Sequence, residues 1–410
     1  MDAAAGHARR AREPGAGVTA PATALPRRRD RVRTLRHSAW TSALEALPIW
    51  LASRLAVAML GFAGAWVLHD RKAQDVPSWL DIWQNWDADL FVKVAQHGYP
   101  PTSAYSDHTE VDFPGMPIAL RVAHVFTHNW TVAGLLVSLI AGGVAAVALY
   151  HLACDEWGPE AGRRAVVYLV TFPYAVFLFA GYSEGLFLAF ATTSWVFVRR
   201  ERWREASLLC AGASFTRLLG LCLMLGIGVE YAVRRWRADG PLGLFTRHLP
   251  WLAAPALSAF SFVWYLHERT GRWDAYQQAQ REGWGRYTAS IREGFTAVLG
   301  QTRLGGIDGT YAWSWRAEML AVVGGAVLAI VLLLMHRWGE AVYVGTSAYL
   351  LAAQNYYASS VRSALIWFPL YLVLARLTVR REWMHKVLVA STAPLMAVFV
   401  LVFNRGQWVG

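Results

Sequence analysis

The sequence predicts an all-α polytopic membrane protein, and three of its features carry that prediction. Hydrophobic residues make up 55% of the 410-residue chain and charged residues only 16%, whereas soluble domains average about 25% charged residues. Apolar runs of roughly 20 residues, the length a helix needs to cross about 30 Å of hydrocarbon, recur along the chain. The arginines gather in short clusters at the ends of those runs, not along one continuous face. Despite a formal charge of +11, this pattern fits membrane orientation and argues against a nucleic-acid partner.

Residues 1–40 are rich in Ala, Arg, Gly and Pro and include the run Arg27, Arg28, Arg29, Asp30, Arg31. They read as a disordered basic tail on the cytoplasmic side, followed by one membrane domain over 41–410. A cleaved leader is not expected, because the first apolar run is too long and begins too late. That run, 46–68, predicts a first span leaving the cytoplasm. Residues 69–130 then stay outside as a large loop, carrying Asp70, Asp75, Asp81, Asp87, Asp89, Asp107, Glu110 and Asp112 against few bases. Within the loop, 113–126 is apolar but short, and Pro114, Pro117, Arg121 and His124 interrupt it. It predicts a helix lying in the membrane interface.

Spans follow at 131–153, 164–181 and 183–198, after which comes the basic turn Arg199, Arg200, Arg202, Arg204. The next apolar stretch, 205–231, holds Arg217 at its middle and ends at Arg234, Arg235 and Arg237. A single crossing would put that cluster outside, against the positive-inside rule. Two short helices turning near Thr216 and Arg217, at half depth, keep it inside. Further spans are predicted at 249–266, 316–335, 340–357, 363–378 and 387–403, with basic turns at His336-Arg337 and at Arg380, Arg381 and Lys386. The total is about nine full spans plus a half-depth helical hairpin, with the amino terminus inside and the carboxyl terminus outside. Tryptophans near the span ends form an interfacial belt and signal no ligand by themselves. Cys154, Cys210 and Cys222 have no close partner and no histidine at ligand spacing, so they predict small buried side chains, and no metal site.

Several polar residues sit where chemistry is possible. Asp87 and Asp89 precede an apolar-periodic stretch: they are helix-start acids, or one of them is a partly desolvated general base for an acceptor hydroxyl. Arg217 lies among apolar neighbours, where a cation needs an anionic partner, either Glu184 or a ligand phosphate. Glu184 follows Gly181-Tyr182-Ser183 at a helix start that favours an acid. Arg362, in the turn that begins Asn355-Tyr356, lies outside, where the charge rule does not account for it. It either snorkels to headgroups or grips a lipid-carrier phosphate through paired hydrogen bonds.

Taken in order, these segments resemble the GT-C superfamily of polytopic glycosyltransferases, and most of all its PIG-V-type mannosyltransferase branch. Trp86-Asp87, Phe91, Ala95 and Gly98-Tyr99 are similar to that family's first-loop pattern, and Phe113-Pro114 with Pro117 resembles the element that follows it. Tyr182-Ser183-Glu184, Thr216-Arg217 with Gly220, and Arg362 with Phe368-Pro369-Leu370 resemble three later elements, so the likeness covers 46–375. Leu90, Asp112, Gly115 and Met116 depart from it.

The resemblance implies transfer of a hexose, mannose in this branch, from a polyprenyl phosphate sugar to an extracytoplasmic acceptor on a lipid, glycan or protein. The site is expected in the plasma membrane, and transfer is expected to invert the anomeric carbon without a metal or other cofactor. Asp87 would be the base, with Asp89 the second candidate catalytic acid. Trp86, Lys93, His97, Tyr99, Asp112, Tyr182, Glu184, Arg217, Asn355, Tyr356 and Arg362 form the candidate substrate-binding set. A transporter or lipid flippase is the alternative from another class; it calls for matching halves, which the sequence does not display, and for functional charges at the bilayer midplane.

Overall fold

In the computed structural model, residues 28–67, 78–99, 107–303 and 309–409 are described, with side chains over 39–67, 78–99, 107–302 and 313–409. The tail expected over 1–40 therefore lies mostly outside the described residues, as do Asp70 and Asp75; its last part belongs to a helix beginning at Arg28. Every regular element described is helical, apart from an isolated antiparallel bridge between Thr288 and Gln354.

The chain begins with α1 (Arg28–Trp66), then α2 (Asp87–His97), α3 (Gly115–Thr127), α4 (Trp130–Trp157), α5 (Pro159–Val170) and α6 (Ser183–Arg199). Next come α7 (Trp203–Thr216), α8 (Gly220–Asp239), α9 (Ala254–Thr270), α10 (Ala275–Trp284) and α11 (Ile291–Arg303). The last are α12 (Gly309–Leu334), α13 (Trp338–Ala352), α14 (Ser360–Ala364), α15 (Phe368–Thr378) and α16 (Glu382–Asn404).

Among the described residues, five helices are long and apolar enough to cross a membrane: Ala39–Trp66, Trp130–Trp157, Leu249–Thr270, Trp313–Leu334 and Glu382–Asn404. Each matches a predicted span. Several turn apolar side chains outward in a stripe, as lipid contact requires: Leu51, Leu55, Met59 and Phe62 on α1, and Leu320, Val323, Val327 and Ile330 on α12. The helix α3, at the position expected for an interfacial element, exposes Ile118, Val122, Val125 and Phe126.

Four of the predicted spans differ from straight crossings. The run 164–181 is broken: α5 stops at Val170, and after Phe172-Pro173 the chain resumes as the short 3-10 helix Ala175–Leu178. Proline removes an amide donor and disfavours helix in the residue before it, which explains the break. Pro369 acts alike in 363–378, separating the short α14 from α15. The other two, α6 and α13, have 17 and 15 residues, about 26 Å or less at 1.5 Å per residue.

The predicted hairpin is present as α7 and α8, turning at Arg217, whose backbone is extended (φ −155°, ψ 147°). At its turn Arg217 contacts Glu184, the start of α6, and at its base Arg234 Nη1 reaches the Arg199 carbonyl at the end of α6. It therefore runs alongside α6 from one end to the other. A Cβ on Gly220 would stand 2.4 Å from the Ser214 backbone, so this tight turn needs glycine there.

The end of α6 away from Glu184 collects the basic turns. Arg337 pairs with Glu156 at 2.6 Å and with Glu340, while Arg199 reaches both acids. Trp195 Nε1 donates to Glu340 Oε1 at 2.7 Å. With these partners Glu340 can remain a buried anion. Cys210 and Cys222 are buried and Cys154 half-buried, all three free.

Candidate active site

Broken helices and helix ends converge on one polar cluster. Asp87 is the first residue of α2, Glu184 lies in the first turn of α6, Arg217 ends α7, and Arg362 lies in α14. Carboxylates in first turns face the positive helix end, which suits both acids.

Glu184 is fully buried, and its Oε1 serves both guanidiniums: Arg217 Nη1 donates to it at 2.5 Å, and Arg362 Nε lies 2.6 Å away. The second contact is an ion pair without hydrogen-bond alignment, since Arg362 Nε has no hydrogen-bond partner among the described residues. Arg217 also donates to Ser183 Oγ at 2.9 Å. Arg362 Nη2 reaches Asp87 Oδ2 at 2.6 Å, and its guanidinium lies 5.2 Å from the ring centres of both Phe177 and Tyr182. Thus Asp87, one-fifth exposed, is the open end of a chain of charges whose other members are nearly buried.

Asp112 completes the cluster. It is buried with Oδ2 unpartnered among the described residues, and the Tyr99 hydroxyl donates to its main-chain carbonyl at 2.5 Å. Burial, and next the neighbouring Asp87 carboxylate, push the Asp112 carboxyl well above the ordinary range, against the pull of Arg362 and Arg217. Burial therefore favours the protonated form of Asp112, beside the Asp87–Arg362 ion pair. Glu184 Oε2, Arg362 Nη1 and Asp112 Oδ2 are all buried without hydrogen-bond partners among the described residues, a concentration that points to a polar ligand.

The surrounding chain explains the placement. Trp86 has φ 57° and ψ −124°, a strained conformation for a bulky residue, and starts the helix at Asp87. Asn85 holds that turn: its Nδ2 donates to Ile82 O and Phe403 O, and its own carbonyl accepts from Tyr182 OH at 2.9 Å. The Trp86 ring meets Trp408 edge-on. Gly134 and Gly181 let α4 touch the turn before Tyr182, where a Cβ on Gly134 would come within 3.0 Å of the Gly181 Cα.

The remaining sequence candidates lie elsewhere. On a more exposed side of α2, Asp89 pairs with Lys93 at 3.1 Å, and Lys93 also reaches Asp107 at 3.4 Å. Its bond to Asp89 raises the Lys93 pKa. His97 is exposed in the last turn. Asn355 and Tyr356 act as a clamp on the loop after α10: Asn355 Nδ2 donates to Gly285 O, its Oδ1 accepts from Tyr287 N, and the Tyr356 hydroxyl donates to Trp284 O.

The sequence reading did not single out Asn85, Arg54 or Glu318. The last two are ionised residues inside apolar spans, a signal that was available. Arg54 Nη1 donates to Ala175 O in the broken segment, and Glu318 accepts from Ser360 N at 2.5 Å, holding the start of α14. A cleft of about 130 Å³ is lined by Glu110, two residues before Asp112 in the chain, and by His108, Arg272, Gln278 and Glu282, among others. Glu110 is buried, with Oε2 unpartnered among the described residues. No group of three or more His, Cys, Asp or Glu side chains placed to hold a metal occurs among the described residues.

No protein-family model matches the chain. Over 147 residues it is 32% identical to GPI alpha-1,6-mannosyltransferase 2 of Mus musculus, covering 33% of this chain and 29% of that protein. The protein of the same name from Homo sapiens is 32% identical over 150 residues, with the same coverage. The chain therefore spans under a third of the length of these relatives. Among solved structures, ArnT from Cupriavidus metallidurans bound to undecaprenyl phosphate overlaps with a TM-score of 0.47 at 13% identity, covering 87% of this chain and 75% of that one. The Archaeoglobus fulgidus oligosaccharyltransferase gives 0.39 at 10% identity, covering 87% and 54%. Over about a third of its length, then, this helical membrane chain is similar in sequence to the PIG-V-type mannosyltransferases.

Proposed function

We propose that the chain is a glycosyltransferase that moves mannose from a polyprenyl phosphate donor to an acceptor hydroxyl on the extracytoplasmic side of the membrane. The observation that carries this reading is the Asp87–Arg362–Glu184–Arg217 chain of charges, with a solvent-reachable carboxylate at one end and buried guanidiniums behind it. The sequence similarity to mannosyltransferases supports the choice of sugar.

In the reaction, Asp87 accepts the proton of the acceptor hydroxyl as that oxygen bonds to the anomeric carbon. The bond from that carbon to the phosphate oxygen breaks on the opposite face, and the electron pair leaves with polyprenyl phosphate. One base and one displacement invert the anomeric configuration. Arg362, with Nη2 2.6 Å from Asp87 Oδ2, holds that carboxylate in place until the acceptor arrives. A guanidinium at the rim that is not already paired with a carboxylate can stabilise the growing phosphate charge, so the chemistry does not require a metal. Asp112, kept neutral, is a hydrogen-bond donor for a sugar oxygen. The acceptor headgroup occupies the cleft beside Glu110, where the unpartnered carboxylate oxygen accepts from hydroxyls.

The test is transfer of radiolabel from polyprenyl phosphate mannose to a membrane extract by the purified protein in lipid. Replacing Asp87 by Asn should lower the rate about 10²- to 10⁴-fold, the usual range for loss of a general base. Equal transfer by parent and a folded variant would remove Asp87 as the base, and no transfer by the parent would remove the function.

A further inference from the structure

The charges within the site are already matched. Arg217 and Arg362 face Glu184 and Asp87, and burial favours a neutral Asp112. A phosphodiester donor brings one negative charge, and its departing phosphate monoester gains a second. Neither guanidinium can take that charge without releasing a carboxylate that it now compensates, which would be costly at this burial. A further cation at the rim is needed.

Arg286, in the loop between α10 and α11, has the required properties. Among the described residues it has no carboxylate within ion-pair distance, and its Nε is buried with no partner. The backbone around it is held on both sides. Its own amide donates to Gln280 O at 3.0 Å; Asn355 bonds to Gly285 O, Tyr287 N and Tyr287 O; and Tyr356 bonds to Trp284 O. A loop this firmly clamped around a lone unpaired arginine is fixed for that side chain's sake, since a solvated loop cation needs no such frame.

The helix that leads into the loop borders the site. Tyr276 of α10 packs edge-on against Phe113, the neighbour of Asp112, and lies within electrostatic reach of Arg286, Arg217 and Asp112 alike. Gln280 Nε2 donates to the Tyr276 hydroxyl at 3.4 Å, while the Gln280 carbonyl holds Arg286 N, so one turn of α10 links the tyrosine to the arginine.

We propose that Arg286 is the residue that binds the phosphate of the lipid-linked donor, with Asn355 and Tyr356 as the positioning residues that hold it. This deepens the transferase reading and rests on it for the identity of the anion. It also changes the expected role of Asn355 and Tyr356, from touching substrate to presenting the group that does. A guanidinium suits the task because it offers paired donors to phosphate oxygens and does not lose its proton.

The test uses the full chain in phosphatidylcholine nanodiscs and measures binding of polyprenyl phosphate and of uncharged polyprenol to the parent, Arg286→Gln and Arg286→Lys. The glutamine variant should bind polyprenyl phosphate about tenfold more weakly, equivalent to about 1.4 kcal/mol, and polyprenol as the parent does. Lysine should restore part of the loss. In turnover, the donor KM should rise more than kcat falls. Parental binding of polyprenyl phosphate by Arg286→Gln overturns the proposal. So does an equal loss of polyprenol binding, which marks structural damage. So does a defect seen only when anionic phosphatidylglycerol is added, which marks a contact with bulk headgroups. A parent that binds polyprenyl phosphate but transfers no mannose defeats the transferase reading and leaves Arg286 as an anion site.

Discussion

Asp87 and Asp112 are two carboxyl groups of one loop in different surroundings. Asp87 meets Arg362 at 2.6 Å, while Asp112 is buried with an unpartnered oxygen next to that same anion. The raised Asp112 pKa has a consequence for stability. Between the ordinary carboxylate pKa and its raised folded value, the folded chain holds a proton that the unfolded chain has lost. Its contribution to stability therefore falls as pH rises through that window. Asp112→Asn should be more thermostable than the parent at the alkaline side, and its midpoint should decline less with pH. A parent and variant with parallel pH profiles in detergent melting would show that Asp112 is not held neutral. Because the asparagine still donates a hydrogen bond, transfer at neutral pH should fall by less than about tenfold, in contrast to Asp87→Asn.

At the scale of elements, the site exists because helices stop. Pro173 and Pro369 break apolar runs that a hydropathy reading joins into single spans, and the breaks free Tyr182, Glu184 and Arg362 to meet at the heads of short helices. Glu318 is the counterpart of these breaks. It stands in α12 and accepts the Ser360 amide at 2.5 Å, two residues before Arg362. Glu318→Gln leaves one acceptor oxygen where there were two and should cost about 1 kcal/mol of stability, read as a lower melting midpoint. It should also slow transfer, because α14 then holds Arg362 less firmly against Asp87. Unchanged melting and unchanged transfer would remove Glu318 from the support of the site.

For the whole molecule, the two ends of α6 carry opposite assignments. Glu184 and its cluster of charges are at its start, while Arg199, Arg234 and Arg337 gather with their acids at its finish. The charge rule puts the second group in the cytoplasm. An impermeant thiol reagent applied outside intact cells should label Gln354→Cys, near the site, and should leave Arg235→Cys unlabelled until the cells are opened. Labelling of Arg235→Cys alone from outside would invert the topology and move the proposed reaction to the cytoplasmic face.

Composition and apolar run length sufficed to specify a helical membrane protein, five of its long helices, the short helix α3 and the turn at Arg217, because burial of apolar surface in lipid depends on local sequence alone. The loop motif at Trp86-Asp87 and the lone Arg217 marked part of the site for a similar reason, since a charge among apolar neighbours is costly wherever the chain goes. The pairing was not legible. Nothing in the order of residues says that Glu184 shares one oxygen between two arginines, that Asp89 turns to Lys93, or that Asn355 and Tyr356 frame Arg286. Those facts depend on contacts between residues far apart in the chain, and such contacts form only where the packing of helix ends brings their side chains within a few ångströms of one another.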